Sequence, residues 1–333
     1  MSIKTIAETA WHHDGDFNFM KLLVDDLIQN TNTNFIKLHI TLSFNEYMLP
    51  DHPGYDFLVS KAFNKEQWQV LIEKIVDSEK KLMLLFNDIE AIDFGMSFNP
   101  ELVEIHSVCL NDLHLLKKLK EYNHRNIPII LGVGGSTLYE IENAISFIET
   151  ENIVLMHGFQ NYPTKYSDIN FKRIRKIMGL YPNLKHGYAD HTAWNEPNNN
   201  LITVMGAALG MDFVEKHVTN KPGEERTDWQ AAIGIKQFND IVTNLKLLDS
   251  CNGDGLLKLN EGEIKYSIFG PNKKAAFLNR NIKNGETFQE ADIDFKRTSQ
   301  ISDTSQTEVW NLVGKKAIMN YPKGELITKD KFE

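Results

Sequence analysis

Two stretches of sequence decide the fold: LKHGYADHT at residues 184–192 and MDFVEKHVT at residues 211–219. Each reads as a short strand that carries a histidine, His191 or His217, near its end. Residues 201–209, between them, are helix-like and rich in small side chains. In a parallel α/β barrel, consecutive strands present their carboxyl ends at one shared mouth, where catalytic side chains collect. The two imidazoles are therefore candidates to share one divalent metal ion, the alternative being that each caps its strand.

The same alternation of strand and helix signals runs through the first 250 residues or so. Strand candidates lie at residues 3–7, 35–40, 82–86, 102–105, 128–131, 153–157, 184–188 and 212–216. Helical stretches between them include residues 21–29, 65–78, 113–122, 138–150, 168–178 and 201–209. This alternation of strands and helices predicts a (β/α)8 TIM barrel. A doubly wound sheet is the alternative, but no glycine-rich dinucleotide fingerprint follows the first strand.

The pattern changes after Cys251, where the sequence NGDG interrupts it. Residues 256–274 are predicted to be a linker, and residues 275–333 a compact β-rich domain with short strands and many turns. Two near-duplicate turns support this interpretation, IKNGE at residues 282–286 and YPKGE at residues 321–325. The sequence thus predicts a barrel domain at residues 1–255 and a small second domain behind a linker.

Composition and charge restrict the class of protein. The 333 residues are 42% hydrophobic and 24% charged, which is typical of a globular protein. A net charge of −9 argues against nucleic acid as the main partner. The two cysteines, Cys109 and Cys251, lie far apart and indicate a reducing compartment. Because neither a signal pattern nor a membrane-length apolar run is found, we expect a cytoplasmic protein without membrane or nucleic-acid partners.

Short motifs occur in the order and spacing of a known enzyme family. The first is IAE at residues 6–8 with HDG at 13–15, and the second is HGFQNYPT at 157–164. GYADHT at 187–192 and EKHVT at 215–219 follow. Together with the β-rich C-terminal domain, they resemble the sialic acid synthase family, which joins a metal-dependent TIM barrel to an antifreeze-like (SAF) domain. The chain is therefore identified as a divergent member of that family.

The resemblance implies a reaction and the residues that carry it. The family condenses phosphoenolpyruvate with an open-chain N-acyl amino sugar to a 2-keto-3-deoxy sugar acid plus phosphate, here in surface carbohydrate biosynthesis. It implies His191 and His217 as ligands of a divalent Mn or Mg ion that polarises the sugar aldehyde. Glu8 and Asp228 are then expected to hold or deprotonate sugar hydroxyls or water, and Tyr162 to contact the substrate.

Further substrate contacts and the assembly follow from the same resemblance. The expected substrate-binding residues are Lys37, His39, Ser107, Asn111, Gln160, Asp190 and Arg297. An inward Lys37 favours a phosphate or carboxylate ligand, with a Schiff-base role for Lys37 or Lys216 as the alternative. For Asp190 the alternative is a carboxylate that orients a histidine. Arg297 matches an arginine that reaches the partner subunit's site, which implies a domain-swapped homodimer.

The sequence departs from the family at the phosphate site. Glu104 aligns with a strand-four lysine, Gly132 with a strand-five serine, and Ala189 with the serine before Asp-His-Thr. A glutamate beside a phosphate is unfavourable unless it is protonated or paired, and Lys81 or Lys117 are candidates to compensate. Two other functions therefore stay open: a metal-dependent aldolase or lyase that does not use phosphoenolpyruvate, and a non-catalytic sugar-binding paralogue.

Overall fold

The structure is a computed structural model that describes residues 2–158 and 161–333. The chain divides into two compact units, Met1–Gly253 and Asp254–Glu333. The division falls close to the predicted end of the barrel domain. A short helix, Glu261–Tyr266, lies within the segment that the sequence predicts as a linker.

The first unit is a closed barrel of eight parallel strands. They are β1 (Lys4–Glu8), β2 (Phe35–Ile40), β3 (Lys81–Phe86), β4 (Leu102–Ile105), β5 (Ile129–Gly132), β6 (Ile153–His157), β7 (Lys185–Ala189) and β8 (Phe213–Thr219). Each strand pairs with the next, and β1 pairs with β8 to close the barrel. A two-residue strand, β9 (Ile233–Gly234), extends the sheet beside β8. The predicted TIM barrel is confirmed, and the doubly wound alternative is wrong.

Helices follow the strands and cover the outside of the barrel. They are α1 (Phe17–Asn30), α2 (Phe44–Tyr47), α3 (Tyr55–Ser60), α4 (Lys65–Val76), α5 (Ile89–Met96), α6 (Leu113–Lys120), α7 (Leu138–Ile148), α8 (Phe171–Leu180), α9 (Asn199–Ala207) and α10 (Ile235–Asn252). Two begin with reciprocal capping boxes, Asn64 with Gln67 and Thr137 with Glu140. These pairs satisfy backbone N–H groups that the first turn leaves without partners.

One buried apolar cluster joins the strands to the helices. Ile36, Leu38 and Leu84 on the strands belong to the same cluster as Leu23 and Leu71 on the helices. Such burial stabilises the unit by about 25 cal/mol for each Å² of apolar surface removed from water. In the described parts of the chain, no helix has both the length and the apolar character needed to cross a bilayer.

The interior of the barrel is stacked in layers, because successive side chains of a strand alternate between its two faces. The lowest layer is a buried apolar cluster that includes Ile6, Phe35, Met83, Leu102, Ile130, Val154 and Phe213. Two residues further along four of these strands lie Glu8, Lys37, Glu104 and Glu215. Two residues beyond Lys37, Glu104 and Glu215 lie His39, His106 and His217. Charged groups thus sit on an apolar floor, beneath a layer of imidazoles.

The second unit contains α11 (Glu261–Tyr266) and the antiparallel strands β10 (Ala275–Leu278) and β11 (Ile293–Lys296). Its core is a separate apolar cluster that includes Phe288, Val309 and Ile327. The two near-duplicate turns of the sequence come together, since Ile282 and Tyr321 form an antiparallel bridge. This confirms the predicted compact, β-rich character of the C-terminal region.

Candidate active site

A cavity of about 310 Å³ opens at the carboxyl ends of the barrel strands. This is the end of a TIM barrel at which active sites lie, and the volume is that of a small-molecule site. Most of the residues that the sequence predicts for the site line it: Glu8, Lys37, His39, Ser107, Tyr162, His191, His217 and Asp228.

Glu8, His191 and His217 form one side of the cavity, here called the metal face. The Nε2 atoms of the two histidines are 3.2 Å apart, and Glu8 Oε2 is 3.3 Å from His217 Nε2. His191 Nδ1 lies 3.2 Å from the Ala189 carbonyl, which can only accept, so this nitrogen donates. The Nε2 lone pair of His191 then points toward the other two ligand atoms.

The metal face fits a divalent cation. One ligand atom from each of its three residues lies within 4.8 Å of the others. Two imidazole nitrogens and a carboxylate oxygen are a ligand set that suits divalent transition metals. Burial lowers the pKa of His191 well below its usual range, so the ring is neutral and able to bind a metal.

Tyr162 and Asp228 border the metal face. The Tyr162 hydroxyl lies 3.4 Å from His217 Nδ1 and donates to the Asp228 carbonyl oxygen. Burial raises the pKa of Tyr162, so the hydroxyl keeps its proton. The Asp228 carboxylate accepts a hydrogen bond of 3.3 Å from the Trp11 N–H, and no side-chain cap to the following 3₁₀ turn is formed. Burial also raises the pKa of Asp228, as expected for a carboxyl group able to exchange protons.

The opposite side of the cavity, here called the donor face, consists of Lys37, His39, Glu104, His106 and Gly132. Lys37 Nζ lies 2.7 Å from Glu104 Oε2. It also lies close to carboxylates of two other strands, 2.9 Å from Glu215 Oε1 and 3.2 Å from Glu8 Oε2. The lysine predicted to bind an anionic substrate is therefore surrounded by carboxylates of the protein itself.

The histidines around the donor face are neutral. Burial lowers the pKa of His39 to about 3 and that of His106 to about 4. His39 Nε2 accepts a hydrogen bond of 2.7 Å from the Asn87 amide. Burial also lowers the pKa of His157, which stacks on His186, to about 3. These imidazoles offer hydrogen bonds to a ligand and supply no positive charge near pH 7.

Close packing explains why residue 132 is a glycine. A Cβ atom at Gly132 would lie 2.8 Å from the Ser107 backbone nitrogen, so a side chain is excluded unless the neighbouring backbone moves. The two lysines considered as replacements for the lost cation do not line the cavity. Lys81 is the first residue of β3, at the opposite end of the barrel, and Lys117 is exposed on α6.

Two predicted residues lie away from the cavity. Asn111 donates to the Glu140 carbonyl at 3.1 Å. Asp190 accepts from Lys216 at 3.0 Å and from Thr203 of α9 at 2.6 Å, so its carboxylate faces the helix layer. Asn111 lies in the turn that precedes α6, and Asp190 directly follows β7, where its side chain points away from the cavity side on which Ala189 and His191 lie. Lys216, the second Schiff-base candidate, is likewise absent from the cavity lining.

Two further predictions are not tested by this cavity. Arg297 belongs to the second unit, where its exposed guanidinium donates to the Pro271 carbonyl at 3.0 Å. Gln160 lies outside the described residues. The cavity also contains residues to which the sequence assigned no role, among them Trp11, His157, Glu215 and Thr227. Glu215 had a detectable signal, because it lies two residues before His217 on one strand and must share its face.

Comparison with known proteins gives the family. The NeuB family matches residues 41–256, and the SAF domain matches residues 273–333. The chain belongs to the NeuB family. Enzymes of this family use phosphoenolpyruvate and sugar substrates and are generally metal-dependent.

Relatives include several sugar-acid synthases. The N,N'-diacetyllegionaminic acid synthase of Campylobacter jejuni is 26% identical over 97% of this chain and 98% of its own length. The pseudaminic acid synthase of the same species is also 26% identical, over 73% of this chain and 68% of its own length. Human N-acetylneuraminate-9-phosphate synthase is 20% identical over 72% of this chain and 64% of its own length. The chain is thus similar to a group of synthases that make related acidic sugars.

Solved structures share the fold. The N-acetylneuraminic acid synthetase of Leptospira borgpetersenii superimposes with a TM-score of 0.71 at 22% identity, over 80% of this chain and 90% of that one. A spore coat polysaccharide biosynthesis protein of Bacillus subtilis gives a TM-score of 0.65 at 21% identity, over 100% of this chain and 95% of that one. At this level of identity the likeness concerns the fold.

Proposed function

We propose that this protein is a sugar-acid synthase that extends an open-chain N-acyl amino sugar by three carbons at its aldehyde. The product would be a 2-keto-3-deoxy sugar acid for surface carbohydrate biosynthesis in the cytoplasm. The observation that carries this proposal is the metal face, where ligand atoms of Glu8, His191 and His217 lie within 4.8 Å of one another. Family membership supports the same reaction class.

Each residue around the metal face has a role in this proposal. Glu8, His191 and His217 would hold a divalent cation, which would supply Lewis-acid polarisation of a bound carbonyl. The Tyr162 hydroxyl, whose proton is donated to the Asp228 carbonyl oxygen, accepts a hydrogen bond from a sugar hydroxyl. Asp228 exchanges a proton with the reacting groups, since burial keeps its pKa above the usual range.

Two donor classes deliver the same three carbons to the aldehyde. Phosphoenolpyruvate, the donor of the family, adds with the release of phosphate. An unphosphorylated 2-oxo acid adds as an aldol donor and gives the same product without phosphate. The second class is favoured by the carboxylates around Lys37, at distances of 2.7–3.2 Å.

The synthase activity is tested with manganese-loaded protein and a panel of N-acetylated amino sugars. Each sugar is incubated with phosphoenolpyruvate or with pyruvate, and the keto acid product is sought by mass spectrometry. We expect a product with at least one sugar, and none with the variant His217→Ala. A protein that binds sugar but forms no product with either donor would instead be a non-catalytic paralogue.

A further inference from the structure

Lys37 carries the only ammonium group of the donor face, and carboxyl groups surround it. Lys37 Nζ lies within 3.2 Å of an oxygen of Glu8, Glu104 and Glu215, which belong to three other strands. All four side chains are nearly inaccessible, with 2–5% of their surface exposed. Because β1, β2, β4 and β8 hold them in one layer of the barrel, the cluster is part of the rigid scaffold.

The hydrogen-bonding capacity of Lys37 is already matched inside this cluster. An ammonium group has three N–H donors. Three carboxylate oxygens lie within reach of this one, at 2.7 Å from Glu104, 2.9 Å from Glu215 and 3.2 Å from Glu8. A further anion beside Lys37 would have to displace one of these carboxyl groups.

The remainder of the cavity provides no cationic side chain to replace Lys37. Among the described residues that line the cavity, Lys37 is the only lysine or arginine, against four carboxyl groups. The fourth is Asp228, on the side of the metal face. In the glycine-rich turn after β5, two backbone N–H groups already donate to backbone carbonyls. Val133 N–H donates to Met156 O, and Ser136 N–H donates to Val133 O. A phosphate dianion on the donor face would lie beside carboxyl groups and neutral imidazoles.

We infer that the three-carbon donor of this protein carries no phosphate and is a 2-oxo acid of the pyruvate class. The inference rests on the proposed function, since it concerns the donor for the same aldehyde. A 2-oxo acid has one anionic group, whereas phosphoenolpyruvate adds a phosphate dianion. The cavity can accommodate a 2-oxo acid without a phosphate site.

The reaction is then an aldol addition. A proton leaves carbon 3 of the 2-oxo acid for the Asp228 carboxylate, and carbon 3 forms a bond to the aldehyde carbon. The aldehyde oxygen takes up the proton, so that no group is released and nothing is oxidised or reduced. Because no phosphate leaves, the addition is reversible, and the same protein would cleave its product.

Exchange of the pyruvate methyl protons in deuterium oxide tests the inference without an acceptor sugar. Manganese-loaded protein is incubated with pyruvate, and loss of the methyl signal is followed by proton NMR. In parallel, phosphoenolpyruvate and the same panel of amino sugars are followed by phosphorus NMR for free phosphate. We expect protein-dependent exchange at least tenfold above that of Asp228→Asn, and no phosphate release.

The variant Glu104→Gln tests the cause, because it removes one carboxyl charge and nearly preserves volume. We expect calorimetric affinity for phosphoenolpyruvate, relative to pyruvate, to rise at least tenfold. Glu66→Gln, the same exchange at an exposed position of α4, serves as the matched control and leaves the ratio unchanged.

Three outcomes separate the two proposals. Phosphate release or tight phosphoenolpyruvate binding by the wild-type protein would overturn the inference and leave the synthase intact. Exchange of the pyruvate methyl protons without phosphate release would support both proposals. If manganese-loaded protein bound neither phosphoenolpyruvate nor pyruvate, the proposed function and the inference about the donor would both be overturned.

Discussion

The metal face and the donor face of the cavity are built by the same barrel, yet they relate differently to the NeuB family. The metal face keeps Glu8, His191 and His217 at the ends of β1, β7 and β8, in motifs that resemble those of the family. On the donor face, Glu104, which the sequence resemblance aligns with a lysine of the family, forms an ion pair of 2.7 Å with Lys37. The difference teaches that a barrel can exchange half of its substrate site through single inward side chains, while the fold stays the same.

The largest effect is expected at the metal face. Replacement of His217 by alanine removes one of the two imidazoles that we propose as metal ligands. We expect metal content to fall and product formation to drop by about a thousandfold, the equivalent of several kcal/mol of lost carbonyl polarisation. Metal analysis and turnover measure the two effects, and His114→Ala on the exposed surface of α6 is the control. Full activity in a metal-free His217→Ala protein would remove the metal face from the mechanism.

Replacement of Lys37 by methionine tests the donor face through stability. Three buried carboxyl groups would then surround an apolar side chain, and we expect the free energy of unfolding to fall by about 3–5 kcal/mol. Lys65, whose partner Glu90 lies 2.7 Å away and which is 48% exposed, provides the control. Lys65→Met should cost less than about 1 kcal/mol. Equal losses in urea denaturation would show that the cluster around Lys37 has no special energetic role.

Acid should destabilise the barrel, because neutral histidines are buried both on the donor face and outside the cavity. Burial lowers the pKa of His13, which packs on Phe63, and of His39 to about 3. The unfolded chain therefore takes up these protons first, near pH 6.5, and stability is lost as the pH falls from 6.5 towards 3.

Variants measure the contribution of each histidine to this acid sensitivity. His13→Gln and His39→Gln should each reduce the slope of unfolding free energy against pH by about 1.4 kcal/mol per pH unit below pH 6. The exposed exchange His114→Gln is the control. An unchanged slope in both buried variants would contradict the assignment of neutral imidazoles.

The smallest expected effect is at Tyr162. Its hydroxyl lies 3.4 Å from His217 Nδ1 and accepts a hydrogen bond of 3.3 Å from the Ala231 N–H. We expect Tyr162→Phe to lower kcat about tenfold, or about 1.4 kcal/mol, without loss of metal. Tyr166→Phe removes an exposed hydroxyl that binds Glu196 and serves as the control. A tenfold loss in both variants would mean that Tyr162 has no specific contact with the substrate.

Much of the fold was predictable from sequence because its signals are local and repeated. Each of the eight predicted strands overlaps an observed one, since parallel barrel strands are short apolar runs bounded by turns. The two histidines of the metal face were predictable because the strands that carry them are neighbours in a barrel. Strand alternation likewise places Glu8, Lys37 and His39 inside the barrel.

The pairing on the donor face was not predictable. Lys37 and Glu104 lie 67 positions apart in the sequence, and their contact depends on the stagger of β2 and β4 across the barrel. Asp190 was misleading for a related reason, because it precedes His191 and so points to the other side of the strand, toward Thr203. The identity of an inward residue follows from alternation, whereas its partner across the barrel requires three-dimensional geometry.

The most direct test of the account is a calorimetric titration of manganese-loaded protein with phosphoenolpyruvate and with pyruvate. We expect pyruvate to bind, phosphoenolpyruvate to bind at least tenfold more weakly, and Glu104→Gln to reduce this difference in affinity. Phosphoenolpyruvate that binds the wild-type protein as tightly as pyruvate, with no change in Glu104→Gln, would contradict it. The donor face would then accept a phosphate despite the carboxyl groups around Lys37.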